Sequence, residues 1–398
     1  KATSQFNNRI VNVDQYRNYG LESRFITDYF IGSMKNTISS GIRFYKGNTH
    51  RLADGKGTTG SDYDVRIEGF YPKNIHFRSN NAAVFIENIF RVTEKLLIIP
   101  GIRYEWLEGS ASGSNGLSGN DAIIHLQNIT RSRGFILGGI GSEFHLTNTT
   151  EFYANFSQAY RPIQFANLQA PPTTDLIDQD LKDARGYNLD LGYRGKVKNY
   201  LQFDVSGFYL QYNNRVGTIT PSGTNYRLVT NVGASTSKGL ETYIEFNPLR
   251  AFSNSAHSDI IFFSSYSYTD ARYSGNHQDA NTKGKKVENA PQDILRTGLS
   301  IGNKGFLFTT QLSHVGAAFS DANNTNTPST NGNIGIIPSY SIIDLTATYK
   351  LSKNLNIKAG INNLNDTRYF TRRAGGYPGP GALPADGRNF FISIGAKF

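Results

Sequence analysis

The chain has 398 residues and a formal net charge of +10, with 40 Gly, 23 Tyr and 26 Phe against no Cys, one Met and one Trp. That is a strand-and-turn palette, and it excludes a disulfide framework and any thiolate metal centre. No apolar run reaches the ~18 residues a membrane helix needs, but a mean hydropathy of −0.42 does not exclude a membrane β-barrel, in which lumen-facing polar residues dilute the lipid-facing ones. The 41 Lys and Arg are scattered among 31 Asp and Glu and form no basic run, which argues against nucleic acid as a partner. The chain opens on Lys1 with neither Met nor a signal-peptide pattern, so the expectation is that its true beginning has been removed.

In chain order, strands announce themselves by period-2 alternation. Phe152, Ala154, Phe156 and Tyr160 oppose Tyr153, Asn155 and Ser157; Tyr187, Leu189, Leu191 and Tyr193 oppose Asn188, Asp190, Gly192 and Arg194. Leu240, Thr242, Ile244 and Phe246 oppose Glu241, Tyr243 and Glu245, and the same pattern runs through 343–351 and 355–362. The final segment places Phe390, Ile392, Ile394, Ala396 and Phe398 on one face. Each segment has one face fit for apolar surroundings and one for water.

The connections carry a second signal. "TNTT", "KVKN", "NKG" and "SKN" separate neighbouring strands as tight hairpins. The others are long: Leu52 to Asn81, Gly109 to Ser132, Arg161 to Asp183, Ser274 to Val287, Ser320 to Pro338 and Thr371 to Gly387. Strict alternation of short turns and long loops puts all turns at one end of a meander, as in outer-membrane barrels. The expectation is therefore an all-β fold, a transmembrane antiparallel β-barrel of about 15 visible strands, with residues 1–398 as part of one barrel domain. An odd count implies missing N-terminal strands, since single-chain bacterial barrels have even numbers. A closing strand paired on both edges accounts for an apolar ending. The competing reading is a soluble all-β protein, but strands of about 10 to 15 residues exceed the usual ~5–6.

Several segments carry a resemblance. "EFYANFSQAYRPIQFANL", "ASTSKGLETYIEF", "IPSYSIIDLTATYKLSKNLNIKAGINNLNDTRYF" and "NFFISIGAKF" resemble the C-terminal barrel part of TonB-dependent outer-membrane receptors, from about Leu21 onward. "RLADGKGTTGSDYD", "NNAAVFIENIFRVTEKLLIIPGIRYE", "DLKDARGYNLDLGYRG" and "RRAGGYPGPG" are similar to receptors of the ferric dicitrate type. The resemblance implies residence in the Gram-negative outer membrane and import of an anionic ferric chelate, ferric citrate first. It also implies a plug domain and a coupling partner, the TonB–ExbB–ExbD complex. Plug, TonB box and part of the expected 22 strands find no counterpart in this sequence. The final aromatic resembles the signal read by the barrel-assembly machinery.

An iron–citrate cargo is anionic and rich in oxygen acceptors, which Arg binds bidentately. The candidate contacts are Arg51, Lys56, Arg66, Arg78, Arg131, Arg133, Arg161, Arg185, Arg372 and Arg373, in loops or at their bases. For each, a solvated cation or a lipopolysaccharide phosphate contact is the alternative. No cofactor, resident metal or catalytic group is expected. The seven His are dispersed without ligand spacing, and no nucleophile elbow is present. "GKGTTG" at Gly55–Gly60 matches a dinucleotide string, but the "SDYDVRIEGF" that follows does not read as a helix, and an extracellular loop suits it better. The "YPGPGALP" loop reads as a stiff cap or a plain connector. Other cargoes (another siderophore, haem, a sugar), a passive porin and an outer-membrane enzyme remain open at this stage.

Overall fold

The computed structural model describes residues 9–61, 63–126, 129–163, 175–178, 180–219, 227–253, 258–275, 282–374 and 381–397. One antiparallel sheet of 17 strands dominates it. Two of these, Ile67–Glu68 and Ile123–His125, are short additions at the loop end; without them fifteen long strands form a continuous meander. In chain order they are β1 (Ile10–Ile31), β2 (Met34–Gly57), β3 (Lys73–Arg91), β4 (Leu96–Leu117), β5 (Ile129–His145), β6 (Thr150–Arg161), β7 (Ala184–Val197) and β8 (Leu201–Asn213). They continue as β9 (Ser235–Phe246), β10 (Ser258–Tyr273), β11 (Asp293–Asn303), β12 (Phe306–Val315), β13 (Tyr340–Lys350), β14 (Leu355–Asn362) and β15 (Asn389–Ala396). Each pairs with its neighbours in sequence, which agrees with the strand number read from the alternation.

Register explains why one face is apolar. Ile42, Val84, Tyr104 and Ile136 are direct cross-strand neighbours, as are Ile140, Phe156, Leu189 and Tyr209. These rows point outward: Ile136 is 62% exposed and Leu189 47%. The opposite face carries Arg43, Tyr45, Asn81, Glu105 and Arg133 in the upper half and Glu143, Tyr153 and Arg194 in the lower. A soluble monomer rarely exposes an apolar patch beyond a few hundred Å²; here the apolar face runs across strand after strand. The buried clusters are small and lie at the loop end: Ile75, Phe77 and Ala111; Ile163 and Leu181; Ala271, Tyr273 and Val287. The fold is held by backbone ladders and by the medium around it rather than by a central core.

The short connections are residues 32–33, 92–95, 146–149, 198–200, 304–305 and 351–354. In the two-residue turn 304–305 both residues have positive φ, 42° at Lys304 and 90° at Gly305, which matches the twist of the flanking strands. The seventh connection at this end, 247–257, departs from the pattern. It holds a short helix, Pro248–Phe252, capped by the Asn247 side chain on the Arg250 N–H.

Three expectations need correction. First, the strands reach much further into the supposed loops: β2 continues to Gly57 and β3 begins at Lys73, inside the interval Leu52 to Asn81. A 24-residue strand rises roughly 80 Å at ~3.3 Å per residue, far beyond a ~30 Å hydrocarbon layer. Its upper half meets water on both sides, so alternation lapses there. Second, a long connection at 214–234 belongs with the other loops. Third, among the described residues β15 pairs with β14 alone, and no pairing joins it to β1. The reading of the last strand as paired on both edges is therefore not met, and both outer strands offer backbone donors and acceptors to further strands. Phe398 and residues 375–380 of the Gly/Pro-rich segment lie outside the described residues. At Gly55–Gly60 no helix follows; β2 ends at Gly57, and Thr58 donates to the Arg66 carbonyl to close a turn.

Candidate functional site: a cationic cleft at the loop end

The inner faces of β2 to β5 align Tyr45, Asn81, Leu107 and Arg133 in one cross-strand row. Arg131 and Arg133, two positions apart on β5, share that face by strand periodicity. The segment leaving β6 turns back over them. Ile163 and Leu181 bury against each other with Ile177 and Val216, and Arg131 Nη1 donates to the Leu181 carbonyl at 3.1 Å. Arg133 Nε meets the Asp183 carboxylate at 2.5 Å, and the two side chains are only 18% and 15% exposed. Asp183 also accepts from the Ile163 N–H at 2.8 Å and from the Tyr160 hydroxyl. Phe135 stacks on the Tyr160 ring at 3.6 Å, and the Arg185 guanidinium sits 5.9 Å from the same ring.

Two clefts adjoin at Arg131, Arg133 and Ile163. The outer one, of about 630 Å³, is bordered by Arg131, Arg133, Lys182 and Arg185, with Asp183 as the one acidic residue among the described residues of its lining. The inner one, of about 290 Å³, adds Arg43, Tyr45 and Asn81 together with Glu105 and Glu108. Those two carboxylates already accept from side chains of the wall: Glu105 from Asn81 at 2.9 Å and Arg103 at 2.6 Å, Glu108 from Asn80 at 3.1 Å. The outer cleft thus keeps an excess of cationic donors facing a space large enough for a small chelate. Such a space favours an anion with several oxygen acceptors.

The sequence-derived cations divide by what they touch. Arg131, Arg133 and Arg185 gather in the outer cleft. Arg161 lies exposed at the end of β6, its backbone opposite Ala184, and Arg78 and Arg372 are exposed elsewhere. Arg51 forms a two-pronged pair with Asp14, at 2.9 and 3.0 Å. Lys56 pairs with Glu68 at 2.6 Å across a two-residue ladder. Arg66 pairs with Asp64 at 2.9 Å and holds that carboxyl well below the ordinary carboxylate range, the Arg66 side chain acting first and its backbone N–H second. Arg373 spends its guanidinium on the carbonyls of Ile336 and Gly332, at 2.8 to 3.2 Å, tying residues 370–374 to the loop before β13. Sequence reasoning missed Arg43, Lys182, Asp183 and Tyr160; "KDAR" at 182–185 was visible, but nothing local showed that it folds back onto β5.

A second charged group lies at the short-turn end. Glu143, His145 and Glu151 bring one ligand atom each within 4.8 Å of one another; the first two stand two apart on β5, and cross-strand register places Glu151 opposite His145. Arg194 already pairs with Glu151 at 2.6 Å and Glu143 at 3.4 Å, and His145 with Glu151 at 3.0 Å. The guanidinium supplies the positive charge those carboxylates need, so the group reads as an ion-pair network of the inner wall.

An antiparallel wall with an apolar outer face, short turns at one end and a cationic cleft among long loops at the other is that of an outer-membrane β-barrel of the receptor kind. The family described as "TonB dependent receptor-like, beta-barrel" matches residues 2–364, and the chain belongs to it. It is similar to the probable TonB-dependent siderophore receptor PiuA of Acinetobacter baumannii, 22% identical over 353 residues, 85% of this chain and 42% of that protein. It also resembles the metal-pseudopaline receptor CntO of Pseudomonas aeruginosa, 25% identical over 269 residues, 64% of this chain and 32% of that protein. The fold matches the unliganded ferric citrate transporter FecA with a TM-score of 0.78 at 19% identity, over 98% of this chain and 55% of that one. The chain thus spans less than half the length of both relatives named, and just over half of the structural neighbour.

Proposed function

We propose that this chain forms the wall and most of the loop surface of an active-transport receptor that captures an anionic ferric chelate, ferric citrate first, at the cleft around Arg131 and Arg133. The observation that carries the reading is the outer cleft itself, with Arg131, Arg133, Lys182 and Arg185 bordering one cavity beside a single carboxylate among the described residues of its lining. Citrate carboxylates match guanidinium forks in charge and geometry. Arg51, Lys56, Arg66 and Arg373 serve to fasten loops in this reading, because each is engaged within the chain and none borders the two clefts. Capture at the loops would be relayed through a plug to TonB and its ExbB–ExbD partners, which supply the energy for import; the wall itself makes and breaks no covalent bond. Contacts to lipopolysaccharide phosphate fall to the exposed cations outside the cleft.

The names of the two relatives favour a second reading, in which the same cleft takes another siderophore or metal chelate. Uptake of radiolabelled iron by cells that depend on the receptor containing this chain separates the two. Ferric dicitrate is expected to support energy-dependent uptake that a neutral hydroxamate chelate does not compete away. Full competition by that chelate, with no uptake from citrate, would set the citrate reading aside.

A further inference from the structure

We propose that Asp183 is an internal stand-in for a ligand carboxylate, and that an anionic chelate binds by displacing it from Arg133. The inference rests on the reading of the cleft as the chelate site. Asp183 receives the three kinds of donor a bound carboxylate would seek there: a guanidinium at 2.5 Å, a backbone N–H at 2.8 Å and a phenolic hydroxyl. The neighbouring Arg131 is likewise met from the same short segment, by the Leu181 carbonyl at 3.1 Å. Segment 181–183 therefore covers both arginines at once.

Its other side is fastened to the next loop. The Lys182 N–H donates to Asn231 Oδ1 and the Lys182 carbonyl accepts from Asn231 Nδ2, both at 2.8 Å, while Asn214 Nδ2 reaches the Asp183 carbonyl at 3.4 Å. Residues 175–177 and 227–229 also pair in parallel. Displacing Asp183 from Arg133 thus strains contacts that belong to the loop between β8 and β9, and occupancy of the cleft is transmitted sideways along the rim.

Competition within the chain lowers apparent affinity by the fraction of time the arginine is free. It also adds selectivity: a ligand must offer a carboxylate at least as well placed as Asp183 to take the arginine from it. A neutral chelate has no means of doing so.

The experiment is a titration of the detergent-solubilised full receptor with ferric dicitrate, in the wild type, Asp183→Asn, Tyr160→Phe and Arg133→Gln. Asn keeps the shape and the Ile163 contact while removing the charge, and Tyr160→Phe removes the hydroxyl that holds Asp183 while keeping the ring beside Arg185; heat-modifiable migration confirms that each variant is folded. Asp183→Asn is expected to bind roughly tenfold tighter, about one step of 1.4 kcal/mol, and Tyr160→Phe to bind tighter by less. In the Arg133→Gln background, Asp183→Asn should lose its effect. Hydrogen exchange at the Lys182 N–H should speed up on chelate binding, where a simple contact would slow it. If the wild type binds and Asp183→Asn binds no better, or exchange slows, the stand-in role is overturned and the site reading survives. If no variant binds ferric dicitrate, both fall together.

Discussion

Replacing Arg131 and Arg133 together with Gln is expected to weaken ferric dicitrate binding to the full receptor by at least ~100-fold. Each guanidinium offers charge-assisted hydrogen bonds worth about 1.5–3 kcal/mol, or roughly 10- to 100-fold apiece. The two share a cleft, so their effects will not simply add, and the lower end of the product is the safer expectation. Gln is shorter but keeps hydrogen-bonding capacity without the charge, and the wall strands to either side remain paired. The control is Arg250→Gln in the short helical turn, where the side chain pairs with Asp259 at 2.7 Å at the opposite end of the wall; affinity there should stay within about twofold of the wild type. Equal losses in the double variant and the control would mean that the cleft is not where the chelate is held.

The second large effect concerns the medium. Leu191→Arg places a charge on the outward face of β7, between Leu189 and Tyr193, at a side chain 62% exposed in the isolated fold. On the lipid face of a barrel an Arg near the midplane costs about 2–4 kcal/mol, enough to reduce assembly in the membrane severely, given typical total stabilities of about 5–15 kcal/mol. Asn188→Arg, three positions earlier on the inner face, should be nearly neutral, since that face meets water. Folding yield into lipid vesicles, read by heat-modifiable migration, distinguishes them. A water-soluble fold would reverse the order, tolerating Arg at the exposed Leu191 and not at Asn188.

Much of the wall could be read from residue order because lipid and lumen impose opposite demands on successive side chains. Tyr187 to Arg194 show this most clearly, and the structure pairs them with β6 on one side and β8 on the other. Above the membrane that demand disappears. Residues 73–81 are paired in register with 45–53, yet their mixed polarity reads as loop. The connection at 247–257 was obscured for another reason: its short helix is set by an Asn cap and a Pro, a local device that leaves no periodic trace.

The site was legible only in part. Arg131 and Arg133 stand two apart, and strand periodicity alone puts them on one face. Whether a cation is already neutralised depends on pairing across the sheet: Arg51 finds Asp14 because the β1–β2 register sets them opposite, 37 positions apart. Lys56 and Glu68 meet in the same manner. Only Arg66, two residues from Asp64, has its partner close enough in sequence to be suspected beforehand. Asp183 required the fold, because its role comes from a segment returning onto a strand that left the rim some fifty residues earlier, as the 50-residue separation of Arg131 and Leu181 shows.

The most direct test of the two-faced wall uses the absence of cysteine from these 398 residues. Single Cys placed in turn at positions 187 to 194 of the receptor in native outer membranes would be labelled with a membrane-impermeant, water-soluble thiol reagent after permeabilisation. Labelling should alternate, strong at 188, 190, 192 and 194 and weak at 187, 189, 191 and 193. Uniform labelling along the strand, or labelling with the opposite phase, would contradict a lipid-facing apolar side and with it the placement of the cleft in a membrane receptor.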